Sequence, residues 1–328
     1  MRAPDFWTRA GLPAALLSPA AAVYALGRQL HGARARPVTA PVPVICIGNL
    51  TVGGSGKTPV ALSIAAHLQA RGSEVHFLTR GYRGRLRGPV SVDPRRHSAR
   101  EVGDEALLLA RAARTWVARD RARGALDAAA AGADAIVMDD GFQNPSLVKD
   151  LSILVVDGGY GFGNCRLLPA GPLREDLAGG LARAQAVVFI EDPVARNVMP
   201  MPRDADPPWF AARLVPGREA LRLAGRKVVA FAGIGRPQKF FDTLRALGAR
   251  VVMAKAYPDH HAYDADEIMR LVEIASETGA TPVTTEKDRV RLPPEARGMV
   301  ETVPVFVQYG EAGACERMLA PLASSVAA

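Results

Sequence analysis

Three cysteines in 328 residues, Cys46, Cys165 and Cys315, are too few and too far apart for a disulfide framework or a thiolate metal cluster, and their odd count fits a reducing compartment. Aromatic residues make up only 6% of the chain and do not interleave with its basic residues, which argues against a stacking platform for nucleic acid. No unbroken apolar run reaches the length of a bilayer span, because Pro13 and Pro19 interrupt the one stretch, Phe6 to Leu30, that begins to look like one. Low-complexity tracts and internal repeats are missing, so neither disorder nor a solenoid is expected. The guanine-reading Asn-Lys-x-Asp motif is also missing, since Thr285-Glu-Lys-Asp288 does not supply it, which counts against a GTP-dependent switch.

What is present is a chain long enough for two apolar cores, with a formal charge of +8 that favours an anionic partner such as a nucleotide or an acidic membrane surface. Short β-branched runs alternate with Ala/Leu/Arg stretches of helical length. Val44 to Ile47, Val75 to Thr79, Ala135 to Met138, Ile153 to Val156 and Val187 to Ile190 read as buried parallel strands. The prolines between Asn197 and Pro216 suggest a connection between domains. A second α/β rhythm follows, with strands at Val228 to Ala232, Val251 to Ala254, Pro282 to Thr285 and Val303 to Val307. The expected division is an N-terminal region, 1–36, a domain over 37–215 and a smaller α/β domain over 216–328. In such a chain ligands bind at the carboxyl ends of the parallel strands.

Within the N-terminal region, Ser18-Pro19 reads as a cap and first residue of a helix reaching about His31. Arg2, Arg9, Arg28, Arg34 and Arg36 flank it, as expected of an amphipathic helix lying on a membrane surface; the alternative is a helix packed on its own domain.

The strand ending near Ile47 runs into Thr51-Val52-Gly53-Gly54-Ser55-Gly56-Lys57-Thr58 and then an Ala-rich helix. Thr51 stands where the usual pattern has its first Gly, but the strand-loop-helix context is that of a phosphate loop in a P-loop NTPase-like core. Its N–H groups cradle phosphate, Lys57 neutralises β and γ charge, and the Thr58 hydroxyl ligates Mg²⁺. A nucleoside triphosphate, ATP, is therefore expected. The strand Ala135 to Met138 ends in Asp139-Asp140, carboxylates at the edge where phosphates lie and suited to Mg²⁺, with a cap or turn role open for one of them.

Asn49-Leu-Thr-Val-Gly-Gly-Ser-Gly-Lys-Thr-Pro59, Arg80-Gly-Tyr-Arg-Gly84, Gly103-Asp-Glu105, Asp139-Asp-Gly-Phe-Gln143, Leu168-Pro-Ala-Gly-Pro-Leu-Arg-Glu175, Asp259-His260 and Thr285-Glu-Lys-Asp288 follow one another over most of the chain. In that order they resemble the tetraacyldisaccharide 4'-kinases of lipid A biosynthesis. The resemblance implies ATP-dependent phosphorylation of the 4'-hydroxyl of a tetraacyl glucosamine disaccharide 1-phosphate at the cytoplasmic face of the inner membrane, with no nucleic acid and no obligate protein partner. It makes Asp104 the base and His260, rather than the adjacent His261, its partner from the second domain, with Lys57 as the third catalytic residue. Asp139, Asp140 and Glu175 then belong to the Mg²⁺ and phosphate environment, although Glu175 also reads as a first-turn helix carboxylate. Arg80, Tyr82 and Arg83 are expected to meet the anionic sugar lipid, the bland reading being a solvated basic loop. Lys287, paired with Glu286 or Asp288, reads as a structural ion pair between domains. A P-loop kinase for a soluble metabolite is the competing function.

Overall fold

The computed structural model describes residues 4–9, 11–192, 199–202 and 204–326. Arg2 and residues 197–198 and 203, on which parts of the sequence reading fall, lie outside them.

Two consecutive helices, α1 (Leu12–Leu16) and α2 (Ser18–Ala33), open the chain. Pro13 and Pro19 sit in their first turns, where a missing N–H leaves no bond unmade. Ser18 does not cap α2, because only Leu17 separates the two helices; its hydroxyl donates back to the Ala14 carbonyl at 3.1 Å.

The chain continues through β1 (Val44–Gly48), α3 (Lys57–Gln69), β2 (Val75–Thr79), β3 (Val90–Ser91), α4 (Ala99–Val102), α5 (Asp104–Leu109), β4 (Thr115–Val117), α6 (Arg121–Ala130), β5 (Ala135–Asp139), β6 (Leu151–Asp157), α7 (Leu177–Leu181), β7 (Ala186–Ile190) and β8 (Trp209–Pro216). The remainder comprises β9 (Lys227–Ala232), α8 (Pro237–Ala246), β10 (Arg250–Ala256), α9 (Ala265–Glu277), β11 (Thr281–Thr285), α10 (Glu286–Arg289), β12 (Glu301–Val303), β13 (Val305–Tyr309) and α11 (Ala314–Val326).

The larger sheet has the order β13-β8-β7-β6-β1-β5-β2-β4-β3, and only its edge strands β13 and β3 run antiparallel. Helices cover both faces, so the inner strands are continuous apolar runs rather than alternating ones. In β1, Ile45 and Ile47 face a core shared with α3 and α11, whereas Val44 and Cys46 face a second core shared with α6. Ile47 is fully buried, and its truncation to Ala should cost about 2–5 kcal/mol. Because β1 lies between β5 and β6, its carboxyl end is a point where strand order reverses, the usual crevice for a ligand in a doubly wound sheet.

The smaller sheet, β10-β9-β11-β12, is parallel throughout and carries α8 on one face and α9 on the other. Two strand readings change. Trp209 to Pro216, taken as connector, is β8 of the larger sheet, paired parallel to β7; its prolines fall at its ends, where no ladder bond is lost. Val303 to Val307 is not one strand: Pro304, which cannot donate, divides it, β12 staying in the smaller sheet while β13 returns to the larger one.

Candidate functional site

Between β1 and α3 the phosphate loop is braced from below. The Val52 N–H donates to the Pro172 carbonyl at 2.9 Å, Thr51 bridges to Leu173, and the Asn49 amide donates to the Thr51 carbonyl at 2.7 Å. Gly56 precedes α3 with φ 89°, a left-handed conformation that disfavours a side chain. Val52, Gly53 and Gly54 are exposed at the crest, while Ser55 is buried with its hydroxyl unpartnered. Lys57, the first residue of α3, donates to Asn49 Oδ1 at 3.2 Å and lies 3.7 Å from Asp140 Oδ1.

Asp139 ends β5 beside this loop. Its Oδ2 accepts the Thr58 hydroxyl at 2.9 Å, whereas its Oδ1 is buried without a partner. Burial raises the Asp139 pKa, and the charges of Glu105 and Asp140 add to that, outweighing the opposing effects of Lys57 and Thr58. Asp140, at φ 56°, is lowered instead: burial works against its charge, but Lys57 and Arg174, the latter at 3.0 Å, prevail. An orphaned carboxylate oxygen beside a hydroxyl and a crowd of acids is suited to a hard cation. Glu175 does not join it: its carboxylate accepts from Gln143 at 2.9 Å and meets Arg183 and Arg28. Among the described residues no three His, Cys, Asp or Glu side chains converge into a metal cage. The Thr58 hydroxyl and the Asp139 carboxylate are thus oxygen donors that fit a hard cation such as Mg²⁺.

Asp104 begins α5, after Gly103 has turned the chain out of α4 with φ 87°. It is 4% exposed, and its Oδ2 accepts the His260 Nδ1–H at 2.8 Å across the boundary between the two sheets. Burial alone would raise its pKa, but that hydrogen bond and the charges of Lys287, His260 and Arg291 overrule it and hold the carboxyl at about 2. His260 takes φ 60°, rare for a residue with a side chain and a conformation that clusters at functional sites. His261 points elsewhere: it pairs with Glu267 at 2.9 Å and stacks on Tyr257 at 4.5 Å. The Tyr82 ring stands edge-on to His260 at 5.5 Å, and Arg83 donates to the Asp259 carbonyl at 3.3 Å. Arg80 is exposed; together with burial, its charge lowers the pKa of Arg121 to about 10.

The profile of the tetraacyldisaccharide-1-P 4'-kinase family matches residues 13–323. The chain belongs to this family. The tetraacyldisaccharide 4'-kinase of Rhodospirillum rubrum is 55% identical over 323 residues, 97% of each chain. That of Rhodospirillum centenum is 53% identical over 330 residues, 99% of this chain and 97% of the relative. The crystal structure of LpxK from Aquifex aeolicus in complex with ATP superposes with a TM-score of 0.77 at 28% identity, covering 95% of this chain and 99% of that one.

Several polar residues that hold this family's site together carry no sequence signal of their own. Lys287 pairs with Glu105 at 3.1 Å, not with its neighbours Glu286 or Asp288, because α10 packs against the start of α5. Glu286 reaches Arg111 at 3.6 Å, and Asp288 is buried within its own sheet layer. On another side of the same boundary, Arg236 meets Asp157 and Asp192, with Lys239 at 3.3 Å from Asp192. Each pair needs partners from distant parts of the chain, which spacing cannot reveal.

The N-terminal helices are docked through the buried Ala14 and Ala21 with polar contacts beside them: Tyr24 donates to the Arg174 carbonyl at 3.0 Å and Arg166 donates to the Ser18 hydroxyl at 2.7 Å. Leu12, Leu16, Val23, Leu26 and Leu30 are left exposed. No described helix is long and apolar enough to cross a membrane.

Proposed function

We propose that the chain is an ATP-dependent tetraacyldisaccharide 4'-kinase, which transfers the γ-phosphate of MgATP to the 4'-hydroxyl of tetraacyl glucosamine disaccharide 1-phosphate and so forms lipid IVA. The observation that carries this reading is the Asp104–His260 pair, joined at 2.8 Å from two units, with Glu105 beside it acting on Asp139 of the phosphate site.

Each residue has a physical task. The loop Thr51 to Thr58 offers its N–H groups and the start of α3 to the phosphates, and Lys57 places its charge against the β and γ oxygens. Asn49 keeps that ammonium in position. Thr58 and Asp139, with Asp140 close by, are the oxygens that would hold Mg²⁺. The chemistry such an ion would supply there is neutralisation of the charge that develops on the phosphate oxygens. Asp104 is ionised throughout the neutral range and accepts the hydrogen bond, then the proton, of the attacking hydroxyl. Its weak basicity suffices, because phosphoryl transfer is loose and the proton leaves late. His260 donates Nδ1–H to the carboxylate and fixes its orientation. Tyr82 and Arg83, touching the His260 segment, and the exposed Arg80 are placed to meet the sugar phosphate. Glu175 acts through Gln143 and Arg183 on the floor of the phosphate site.

The exposed apolar residues of α1 and α2, with Arg9, Arg28, Arg34 and Arg36 nearby, support peripheral attachment to the cytoplasmic face of the inner membrane. The test is incubation of tetraacyldisaccharide 1-phosphate with MgATP in detergent micelles, followed by ³¹P NMR of the product. A new phosphomonoester at the 4' position, absent with Lys57→Ala, supports the reading. No new ester with folded, ATP-binding protein overturns it.

A further inference from the structure

Behind the Asp104–His260 pair lies a buried guanidinium that the proposed mechanism does not use. Arg291 follows α10 and its side chain is 5% exposed. Its Nη2 donates to Asp288 Oδ1 at 2.8 Å, its Nη1 to the carbonyls of Gly233 at 3.0 Å and His261 at 3.3 Å, and its Nε to the Lys287 carbonyl at 3.1 Å. The same Nε stands 3.6 Å from Asp104 Oδ2, the oxygen that accepts from His260.

Asp288 is itself fully buried and saturated. Besides Arg291 it accepts from the Gly233 N–H at 2.9 Å, the Tyr263 hydroxyl at 2.7 Å and the Thr285 hydroxyl at 2.5 Å. Gly233 in turn accepts the His260 N–H at 2.9 Å. Arg291 thus holds the His261 carbonyl, next to His260 in its left-handed conformation, and the Gly233 carbonyl after β9 that accepts the His260 N–H, and it sets its charge against Asp104 in the other unit. Burying such a charge is costly, and replacing ions of this kind by apolar groups is often neutral or stabilising, so stability alone does not account for it.

We infer that Arg291, anchored by Asp288, is a positioning residue for the Asp104–His260 pair: it fixes the backbone that presents His260 and holds the Asp104 carboxylate turned towards the imidazole. The inference rests on the kinase reading above and deepens it. The groups facing Asp104 are His260, Arg291 and Lys287 from the second unit and Glu105 from α5 itself, with Asp259 on the far side of His260 at 3.8 Å. Removing Arg291 leaves the Lys287 charge and the His260 hydrogen bond to hold the carboxylate, so the carboxyl moves up towards its ordinary range.

The experiment is a double-substitution cycle read on phosphate transfer in micelles. Arg291→Met should lower kcat about 10- to 100-fold, leave KM for MgATP within about twofold and move the acid limb of the pH profile upward. In an Asp104→Asn background the same substitution should cost less than about threefold, since no carboxylate remains to be positioned. An equal loss in both backgrounds, with the acid limb unmoved, overturns the inference. Should Arg291→Met fail to fold, Arg291→Lys retains the charge but not the fork, and the same comparison decides: a loss confined to the Asp104 background supports positioning and an equal loss overturns it. If the unsubstituted protein transfers no phosphate, the kinase reading fails instead; if Asp104→Asn transfers as fast as wild type, the assignment of the base fails and the inference with it, so the failures are distinguishable.

Discussion

Replacing Asp104 by Asn keeps the volume of a side chain that is 4% exposed and removes only its charge. The folded-state carboxyl sits at about 2 against an ordinary 3.8, so its surroundings favour the ionised form by about 2 kcal/mol. Because the folded pKa is depressed, that stabilisation is fully present above about pH 4 and is lost as the pH falls from 3.8 towards 2. Acid unfolding of the wild type should therefore steepen across that window relative to the variant. At neutral pH the variant should lose most of the about 2 kcal/mol. The catalytic loss is larger: without an acceptor for the hydroxyl proton, γ-phosphate transfer in micelles should fall by about 10²- to 10⁴-fold, while binding of MgATP, measured by calorimetry, stays intact. A folded Asp104→Asn protein transferring within about threefold of the wild-type rate would refute the assignment of the base.

Asp139→Asn removes the orphaned oxygen beside Thr58 and should raise the Mg²⁺ concentration needed for half-maximal rate by about 10- to 100-fold; an unchanged Mg²⁺ titration contradicts that placement. Gly84→Ala would set a Cβ 2.6 Å from the Glu101 carbonyl and 2.7 Å from Val102, pushing the loop of Tyr82 and Arg83 off the helix pair that carries Asp104, so stability should drop by about 1–3 kcal/mol in denaturant titration. Leu16→Asp combined with Val23→Asp charges two residues that are 79% and 72% exposed; co-sedimentation with anionic vesicles should weaken by roughly a hundredfold without any change in ATP affinity, and undiminished sedimentation counts against the membrane face.

The legible parts of the fold are those where one local rule decides. Five buried β-branched runs became strands of the larger sheet because parallel strands under helices leave no polar face to blur the pattern. β4 was invisible because three residues, Thr115–Val117, carry no periodicity, and β8 because its flanking prolines looked like a linker. Val303 to Val307 was read as one strand because its β-branched run masked Pro304, where the chain breaks and changes sheets. The phosphate loop was readable from its own residues, since glycines, Lys57 and Thr58 between strand and helix admit few other chemistries. The pairing of Asp104 with His260, 156 positions apart, came from family resemblance alone. Arg291 and the Lys287–Glu105 pair went unread, as buried ion pairs depend on packing between units that no spacing encodes.

The most direct test of the central claim compares initial rates of γ-phosphate transfer from MgATP to micellar tetraacyldisaccharide 1-phosphate and to the same disaccharide stripped of its acyl chains. Faster transfer to the acylated substrate is predicted, because the apolar face of α1 and α2 holds the protein where that lipid resides. Equal or faster transfer to the water-soluble sugar would contradict the account and leave a P-loop kinase of soluble metabolites.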